Sequence, residues 1–209
     1  QADPQQQTIH VDGQPLPSPG VARVLLMNKP VGVICSCDDP QGRRTVLDLL
    51  PPEHRAGLHP VGRLDADSHG ALLLTDLGEL TLKLTHPRYS HAKTYRVWVQ
   101  GVPPEPVLDR WRQGVPLDGR LTRPARVRQL RTWGDRSLLE IELREGRNRQ
   151  IRRMAEALGH PVLDLQRTAI AGLPLGDLAE GCWIWLSEGE WKPLLERADP
   201  MDWPNSPCD

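Results

Sequence analysis

The chain of 209 residues is 38% hydrophobic and 25% charged, the composition of a globular protein with one domain or two small lobes around a shared core. It contains no run of about 18 apolar residues and does not open on a basic-then-apolar leader, so we expect neither a transmembrane helix nor a secretory signal but a cytoplasmic protein. Its four cysteines are too few for a disulfide scaffold and lack the spacing of a zinc site, so we expect reduced thiols and no metal.

The first third of the chain predicts an arm, two strands and a short helix. Residues 1–22 are rich in Gln, Pro and Gly, which predicts a flexible N-terminal arm. The apolar segment 24–27 predicts a strand, and we expect 31–35 to pair with it. Thr45 is predicted to cap a short apolar helix over 46–50.

The middle of the chain predicts further strands. The segment 71–75 is almost wholly apolar, which is typical of a buried strand, and a short helix is predicted to follow over 79–84. The segment 93–100 alternates between apolar and polar residues, as does 138–143, so both are predicted strands with one buried face. Tyr95 falls on the apolar face of the first of these strands.

Helix signals flank the second alternating strand. Pro104 and Gly114 are the predicted start and C-cap of one helix. A second helix is predicted to begin at Asn148 as N-cap and to end at Gly159. Its core face is spaced i, i+3, i+4, i+7 and comprises Ile151, Met154, Ala155 and Leu158.

The last elements complete an α+β pattern. A strand over 183–186 and a short helix over 193–197 are predicted, and 198–209 is predicted to be a C-terminal tail. Strands outnumber helices and several are expected to be antiparallel, so the predicted fold class is α+β, with one main domain over 23–197.

Positive charge is concentrated in one segment of this nearly neutral chain. Between Arg120 and Arg153 there are eleven arginines and no lysine, against four acidic residues. A local arginine cluster on a protein with a pI near 6.7 favours a shaped anionic site over non-specific coating of nucleic acid. Arg147 and Arg149 lie where the helix dipole disfavours cations, which indicates a compensating phosphate or carboxylate.

One carboxylate stands directly before the buried strand. Asp65 ends the segment Gly-Arg-Leu-Asp at 62–65, and by itself this arrangement is most simply a structural ion pair between Arg63 and Asp65 in a turn. Arg152 lies at the border between the core face and the polar stripe of its helix, so we expect it to point inward and to pair with Asp65. Beside a guanidinium, a buried aspartate stays ionised at neutral pH.

Five segments in chain order resemble motifs of the pseudouridine synthases of the RsuA/RluB/RluE/RluF branch. They are 28–32, 62–65, 93–97, 145–154 and 165–168. One short match is weak evidence, whereas five in family order are specific. The chain departs from the family pattern at Ala71 and Leu77, neither of which is part of the expected chemistry.

The resemblance implies roles for individual residues. Asp65 matches the catalytic aspartate, Tyr95 the tyrosine that stacks on the target base, and Arg152 the basic residue that pairs with the aspartate. Leu165 matches an apolar residue of the uracil pocket. The residues implied to contact RNA phosphates or to brace the site are Arg63, Lys93, Arg147 and Arg149.

The resemblance also implies a fold, a reaction and a partner. We expect the pseudouridine synthase fold, a mixed and mostly antiparallel sheet flanked by helices with an RNA-binding cleft formed by two lobes. The implied activity is isomerisation of a uridine in ribosomal RNA by a monomer that needs no cofactor and no metal. Only about 22 residues precede the first strand, so we expect the RluE type without an S4 domain, and hence 23S rRNA rather than 16S rRNA as the target.

Two other functions remain open from the residues alone. Asp65 and Asp67 are candidates for the carboxylate pair of a glycoside hydrolase, although a turn between them does not suit that geometry. The arginine cluster alone would also suit a non-catalytic RNA-binding factor in ribosome assembly. Such a factor would need neither Asp65 nor a tyrosine placed to stack.

Overall fold

The computed structural model of the chain describes residues 21–196 in full and, before them, the backbone of 10–11 and 14–15. Most of the predicted arm (1–22) and all of the predicted tail (198–209) therefore lie outside the described residues. The same holds for residue 197, the last of the predicted final helix.

The described residues form thirteen strands and five α-helices. The strands are β1 (His10–Val11), β2 (Gln14–Pro15), β3 (Val24–Lys29), β4 (His59–Pro60), β5 (His69–Thr75), β6 (Lys93–Gln100), β7 (Pro116–Leu117), β8 (Arg120–Leu121), β9 (Arg126–Trp133), β10 (Arg136–Leu143), β11 (Val162–Ile170), β12 (Leu173–Pro174) and β13 (Trp183–Trp185). The helices are α1 (Pro52–Arg55), α2 (Gly78–Thr85), α3 (Glu105–Gln113), α4 (Gln150–Ala157) and α5 (Glu188–Glu196), with 3-10 helices at Val46–Leu49 and Pro87–Tyr89.

Nine of the described strands form one sheet. Its order is β13-β3-β5-β11-β6-β10-β9, with β4 paired to β5 and β12 to β11. The pairing of β5 with β11 is parallel and the other pairings in this sheet are antiparallel. The predicted fold class, α+β with a mixed and mostly antiparallel sheet, is confirmed.

The strands β3 and β5 are buried on both faces because their sequences are almost continuously apolar. Residues of alternating sides enter two separate core clusters. The prediction that 31–35 pairs with β3 was wrong: β3 pairs with β5 and β13. A left-handed turn at Gly32 leads the chain away from β3, and Ile34 instead bridges Thr45.

The predicted alternating strands are present as β6 and β10. Their inward side chains, among them Val97 and Ile141, are buried against α3 and α4, and Trp111 of α3 is fully enclosed. Their opposite face carries polar and charged side chains. The alternation of the sequence therefore predicted correctly which face of this half of the sheet forms the core.

Two helices begin elsewhere than predicted. The N-cap of α4 is Arg149, in the left-handed region at φ 47°, and not Asn148. The backbone N–H of Arg147 donates to the side chain of Gln150 at 3.0 Å, so a bond from within the helix braces the preceding turn. Helix α5 begins at Glu188, five residues before the predicted 193.

Gly70 allows the close approach of β5 to β11. Its φ is +110°, and a Cβ at this position would lie 2.2 Å from the carbonyl oxygen of Arg167 and 2.6 Å from its nitrogen. Only glycine fits such a backbone contact without displacing a strand. The parallel pairing beside residues 65–68 therefore depends on this residue.

Candidate active site

A cleft of about 590 Å³ opens on the face of the sheet that carries Tyr95. Its size falls in the range of small-molecule and nucleotide pockets. All eight residues that the sequence analysis assigned to the site line it, namely Arg63, Asp65, Lys93, Tyr95, Arg147, Arg149, Arg152 and Leu165. The structure thus brings together residues that are up to about a hundred positions apart in the sequence.

Asp65 is held in a tight turn at the N-terminal end of β5. The N–H of Ser68 donates to the carbonyl of Asp65 at 3.1 Å, and the N–H of Gly32 donates to the carbonyl of Ala66 at 2.7 Å. Leu64 is buried beneath the turn, and its N–H donates to Cys35 Sγ at 3.3 Å. These contacts fix the backbone on both sides of a carboxylate that remains open to the cleft.

A buried lysine supports the same turn from below. Lys29 is fully buried, and its Nζ donates to the carbonyl of Ser68 at 2.8 Å and to that of Pro30 at 2.7 Å. Burial lowers the pKa of Lys29, and the carboxylates of Asp65 and Asp67 act in the opposite direction. From the sequence, Lys29 was included only as part of the segment 28–32.

The prediction that Arg152 pairs with Asp65 was wrong. Arg149 is the guanidinium paired with Asp65, with Nη1 3.6 Å from Oδ2. Arg152 instead places Nε 3.3 Å from Asp67 Oδ2 and donates from Nη2 to the carbonyl of Asp67 at 2.7 Å and to Ser68 Oγ at 3.1 Å. Because α4 begins at residue 150, Arg149 lies before the first turn of the helix, from where it reaches Asp65. Arg152 lies within the helix and reaches Asp67, two residues after Asp65.

Asp67 is the carboxylate that compensates the cations at the start of α4. Arg149 donates to it through both terminal nitrogens, at 3.1 Å and 2.7 Å. This hydrogen bonding, followed by the charges of Arg152 and Arg149, lowers the pKa of Asp67, with partial burial opposing it. A carboxyl with a lowered pKa is a poor general acid, so Asp67 is a poor candidate for the acid of a glycoside hydrolase.

Tyr95 and Leu165 form an apolar wall of the cleft. Tyr95 is 9% exposed and Leu165 is 5% exposed, and they lie on the adjacent strands β6 and β11. Both residues face inward, so the wall presents a ring and an aliphatic side chain near Asp65. A planar base could be held by such a wall through stacking and exclusion of water.

Arg167 is a site residue that the sequence analysis missed. It is 3% exposed, and it donates from Nε to the carbonyl of Ala71 at 2.7 Å and from Nη1 to that of Arg63 at 3.4 Å. Its Nη2 is buried without a hydrogen-bond partner and the residue lines the cleft. Arg167 lies two residues after Leu165, and side chains two apart in a strand share a face, so this spacing could have indicated that Arg167 faces inward.

Lys93 shares the floor of the cleft with Arg167. Burial, with a smaller contribution from the charge of Arg167, lowers the pKa of Lys93 to about 8. Its ammonium therefore titrates just above neutral pH.

The guanidinium of Arg147 is bound to backbone carbonyls of the protein itself. It donates to the carbonyls of Leu117, Arg120 and Leu121 at 3.4, 2.9 and 2.6 Å, and lies 3.4 Å from Glu145. These bonds tie the loop before α4 to the β7–β8 hairpin, which favours bracing over the phosphate contact considered for this residue.

Among the described residues, no cluster of three or more His, Cys, Asp or Glu side chains could hold a metal ion. The thiols of Cys35, Cys37 and Cys182 are free, and Cys208 lies outside the described part. No described helix is both long and apolar enough to span a bilayer.

A family model described as RNA pseudouridylate synthase matches residues 23–157. Three curated relatives illustrate the similarity. The chain is 40% identical over 178 residues to ribosomal large subunit pseudouridine synthase B of Bacillus subtilis (strain 168), with 83% of this chain and 72% of that protein covered. It is 41% identical over 175 residues to ribosomal large subunit pseudouridine synthase E of Xanthomonas axonopodis pv. citri (strain 306), with 75% of this chain and 90% of that protein covered. It is 35% identical over 189 residues to ribosomal small subunit pseudouridine synthase A of Escherichia coli (strain K12), with 89% and 76% covered.

Solved structures agree with these sequence matches. A crystal structure of a pseudouridylate synthase superposes with a TM-score of 0.75 at 31% sequence identity, covering 93% of this chain and 82% of that one.

Proposed function

The chain belongs to the RNA pseudouridylate synthase family, and from this premise we propose that it converts a uridine of ribosomal RNA to pseudouridine with Asp65 as the catalytic carboxylate. The branch that the sequence motifs indicated, RsuA/RluB/RluE, is the correct one.

The observation that carries the proposal is the position of Asp65 in the cleft. Its carboxylate lies in a braced turn, 3.6 Å from a guanidinium of Arg149, in a cleft that also contains Tyr95 and Leu165. A non-catalytic RNA-binding factor would need the surrounding cations but not this carboxylate beside an aromatic wall. The charged residues that line the cleft are mostly cationic, and a negative charge among them opposes phosphate binding, so the presence of Asp65 favours chemistry.

The reaction is an isomerisation that balances without a second reactant. The C1′–N1 bond of uridine breaks, the base turns, and C5 bonds to C1′; C5 loses a proton and N1 gains one. Asp65 serves as an anion, either by attacking C1′ or by removing the proton from C2′. In this proposal Tyr95 and Leu165 hold the detached base, and Tyr95 either stacks on it or relays the proton from C5.

The cations of the cleft serve the RNA. A uridine in folded rRNA has to leave its stack to reach Asp65, which costs a few kcal/mol. Contacts of Arg63, Lys93 and Arg149 with flanking phosphates, through release of counterions, offset this cost. Arg149 is bound to Asp67 in the free protein, so a phosphate would compete with that carboxylate for it.

We favour large-subunit rRNA as the substrate. Relatives named as large-subunit synthases B and E are 37–41% identical, against 35% for the small-subunit synthase A. The small-subunit target is the alternative, because the identities differ little.

The direct test is to map pseudouridines in both rRNAs from cells with and without the gene, and then to add the purified protein to rRNA from the deletion strain. We expect one or a few positions in 23S rRNA to be lost in the deletion strain and restored by the protein. A position in 16S rRNA would replace the favoured target by the alternative, and unchanged uridines in every RNA would support a non-catalytic factor.

Lys93 predicts a pH dependence of RNA binding. Its pKa of about 8 in the free protein means that the ammonium loses its proton above pH 8, whereas a bound phosphate favours the charged form. We expect the affinity for rRNA to fall by up to about fivefold between pH 8 and pH 9. Fluorescence anisotropy with labelled rRNA fragments measures this, and Lys93→Arg should remove most of the fall because arginine stays charged. Equal falls in the two proteins would exclude Lys93 as a phosphate contact.

A further inference from the structure

The two halves of the main sheet are covered differently. Around β3 and β5 both faces are buried, whereas β6, β10 and β9 are covered by α3 and α4 on the cleft side alone. On the opposite side, here called the outer face, none of the outward residues of these three strands is buried. They are Thr94, Arg96, Trp98, Gln100, Arg126, Arg128, Arg131, Trp133, Arg136, Leu138, Glu140 and Glu142.

The outer face combines positive charge with exposed aromatic rings. It carries five arginines and two glutamates, and Arg128 pairs with Glu140 at 2.8 Å. The guanidiniums of Arg131 and Arg136 lie 5.0 and 5.3 Å from the centre of the Trp98 ring, so they stack on an aromatic surface.

Trp133 is the most exposed part of this arrangement. Its side chain is 64% exposed, and Arg136 lies 5.7 Å from its ring on the neighbouring strand. A single exposed ring is common on protein surfaces, but this one lies within a group of arginines that also surrounds Trp98. A nucleobase is a suitable partner, because any base can stack on an indole while a nearby arginine meets its phosphate.

The outer face is continuous with the candidate active site along the sheet edge. Arg123 lines the cleft, and the edge strand β9 begins three residues later and runs from Arg126 to Trp133. Arg126 and Arg128 lie exposed on this strand. An anionic strand leaving the cleft thus meets arginines along this edge, of which Arg128 pairs with Glu140 and Arg126 lies 3.9 Å from Glu142.

We propose that β9 and the outer face form a second RNA-binding surface, which takes an unpaired stretch of RNA with Trp133 as stacking platform and with Arg131 and Arg136 as phosphate contacts. The binding of single-stranded RNA is inferred from the side chains of this surface. That the bound RNA is part of an rRNA substrate rests on the proposed function. The surface would hold nucleotides that flank the one in the cleft, and would thereby raise affinity for rRNA without touching the reacting base.

The test separates this surface from the cleft by using RNA without uridine. The probe is a fluorescent twelve-nucleotide oligocytidylate, which offers no substrate base. We expect Trp133→Ala to weaken its binding about fivefold or more. The double variant Arg131→Gln/Arg136→Gln should also make the dependence of log affinity on log salt shallower by about 1.4. The matched control, Arg110→Gln/Lys192→Gln, removes two exposed charges from α3 and α5 and should change affinity less than about twofold.

Two further readouts make each outcome decisive. Photo-crosslinking of wild-type protein to 5-iodocytidine oligonucleotide should label the peptide that contains Trp133, which does not depend on any variant folding. Pseudouridine formation in rRNA is measured in parallel, and the variants should raise KM while kcat stays within about twofold.

Oligocytidylate binding that is unchanged in the variants, with no label at Trp133, would overturn the inference even if the enzyme is active. If the variants lose oligocytidylate binding but the wild-type protein forms no pseudouridine, the proposed function alone is refuted. Wild-type protein that binds an acidic protein but no oligocytidylate would also overturn the inference.

Discussion

Replacing Asp65 by asparagine is expected to abolish pseudouridine formation while the protein stays folded and binds rRNA. Asparagine has almost the same shape, and the turn is held by backbone bonds from Ser68 and Gly32 that do not involve the carboxylate. What is lost is the negative charge that either route of the reaction needs. We expect the rate to fall by about 10³-fold or more. Tritium release from [5-³H]uridine-labelled rRNA measures the rate, and filter binding measures the affinity.

Asp67→Asn is the matched control, since it removes a carboxylate from the same turn. It loosens Arg149, which donates twice to Asp67, so we expect a loss of about tenfold or less in rate. Full activity of the Asp65 variant would refute the catalytic assignment. If the Asp67 variant were dead and the Asp65 variant active, the two aspartates would have to exchange roles.

Replacing Arg152 by leucine is expected to reduce the rate much more than the affinity for rRNA. Its side chain is 16% exposed and bonds to the carbonyl of Asp67 and to Ser68 Oγ, so it positions the turn that carries Asp65. We expect kcat to fall by about 10²-fold, as when one preorganised donor is removed from an active site, while the Kd for rRNA changes less than about threefold. Single-turnover assays and binding titrations separate the two effects.

Two neighbouring arginines, one at the N-cap of α4 and one within it, serve for comparison. Arg149 is more exposed and lines the cleft, so Arg149→Leu should weaken rRNA binding at least as much as it slows the reaction. Arg153 pairs with Asp118, and Arg153→Leu should leave both quantities nearly unchanged. Equal losses of rate and affinity for Arg152→Leu would make Arg152 a phosphate contact instead of a positioning residue.

The strands that were predicted correctly have sequences in which one local pattern dominates. In β5 the unbroken apolar run can only be buried on both sides, and in β6 and β10 the alternation separates a core face from a polar face. In contrast, β9 and β11 were not predicted. Strand β9 is polar on an exposed edge, and β11 contains Asp164 and Arg167, whose partners His69 and Ala71 lie on another strand about a hundred residues earlier.

The boundaries of α4 and the partner of β3 illustrate what local patterns miss. Asn148 is a favourable N-cap by propensity, but the cap position is taken by Arg149 because Gln150 and Glu145 bond within the preceding loop. The segment 31–35 has strand-like composition, yet β5 and β13 occupy both edges of β3. In both cases a competing contact with another part of the fold decided the outcome.

By itself, the sequence determined the family, the fold class and eight of the residues that line the cleft, because motifs of that length carry their chemistry in residue identity and order. Only the tertiary structure decided which cation meets which carboxylate. Arg149 and Arg152 are similar in sequence terms, and their partners depend on where α4 begins and how it packs against a turn more than eighty residues earlier. The same packing buried Arg167 within the site and left Trp133 uncovered on the outer face.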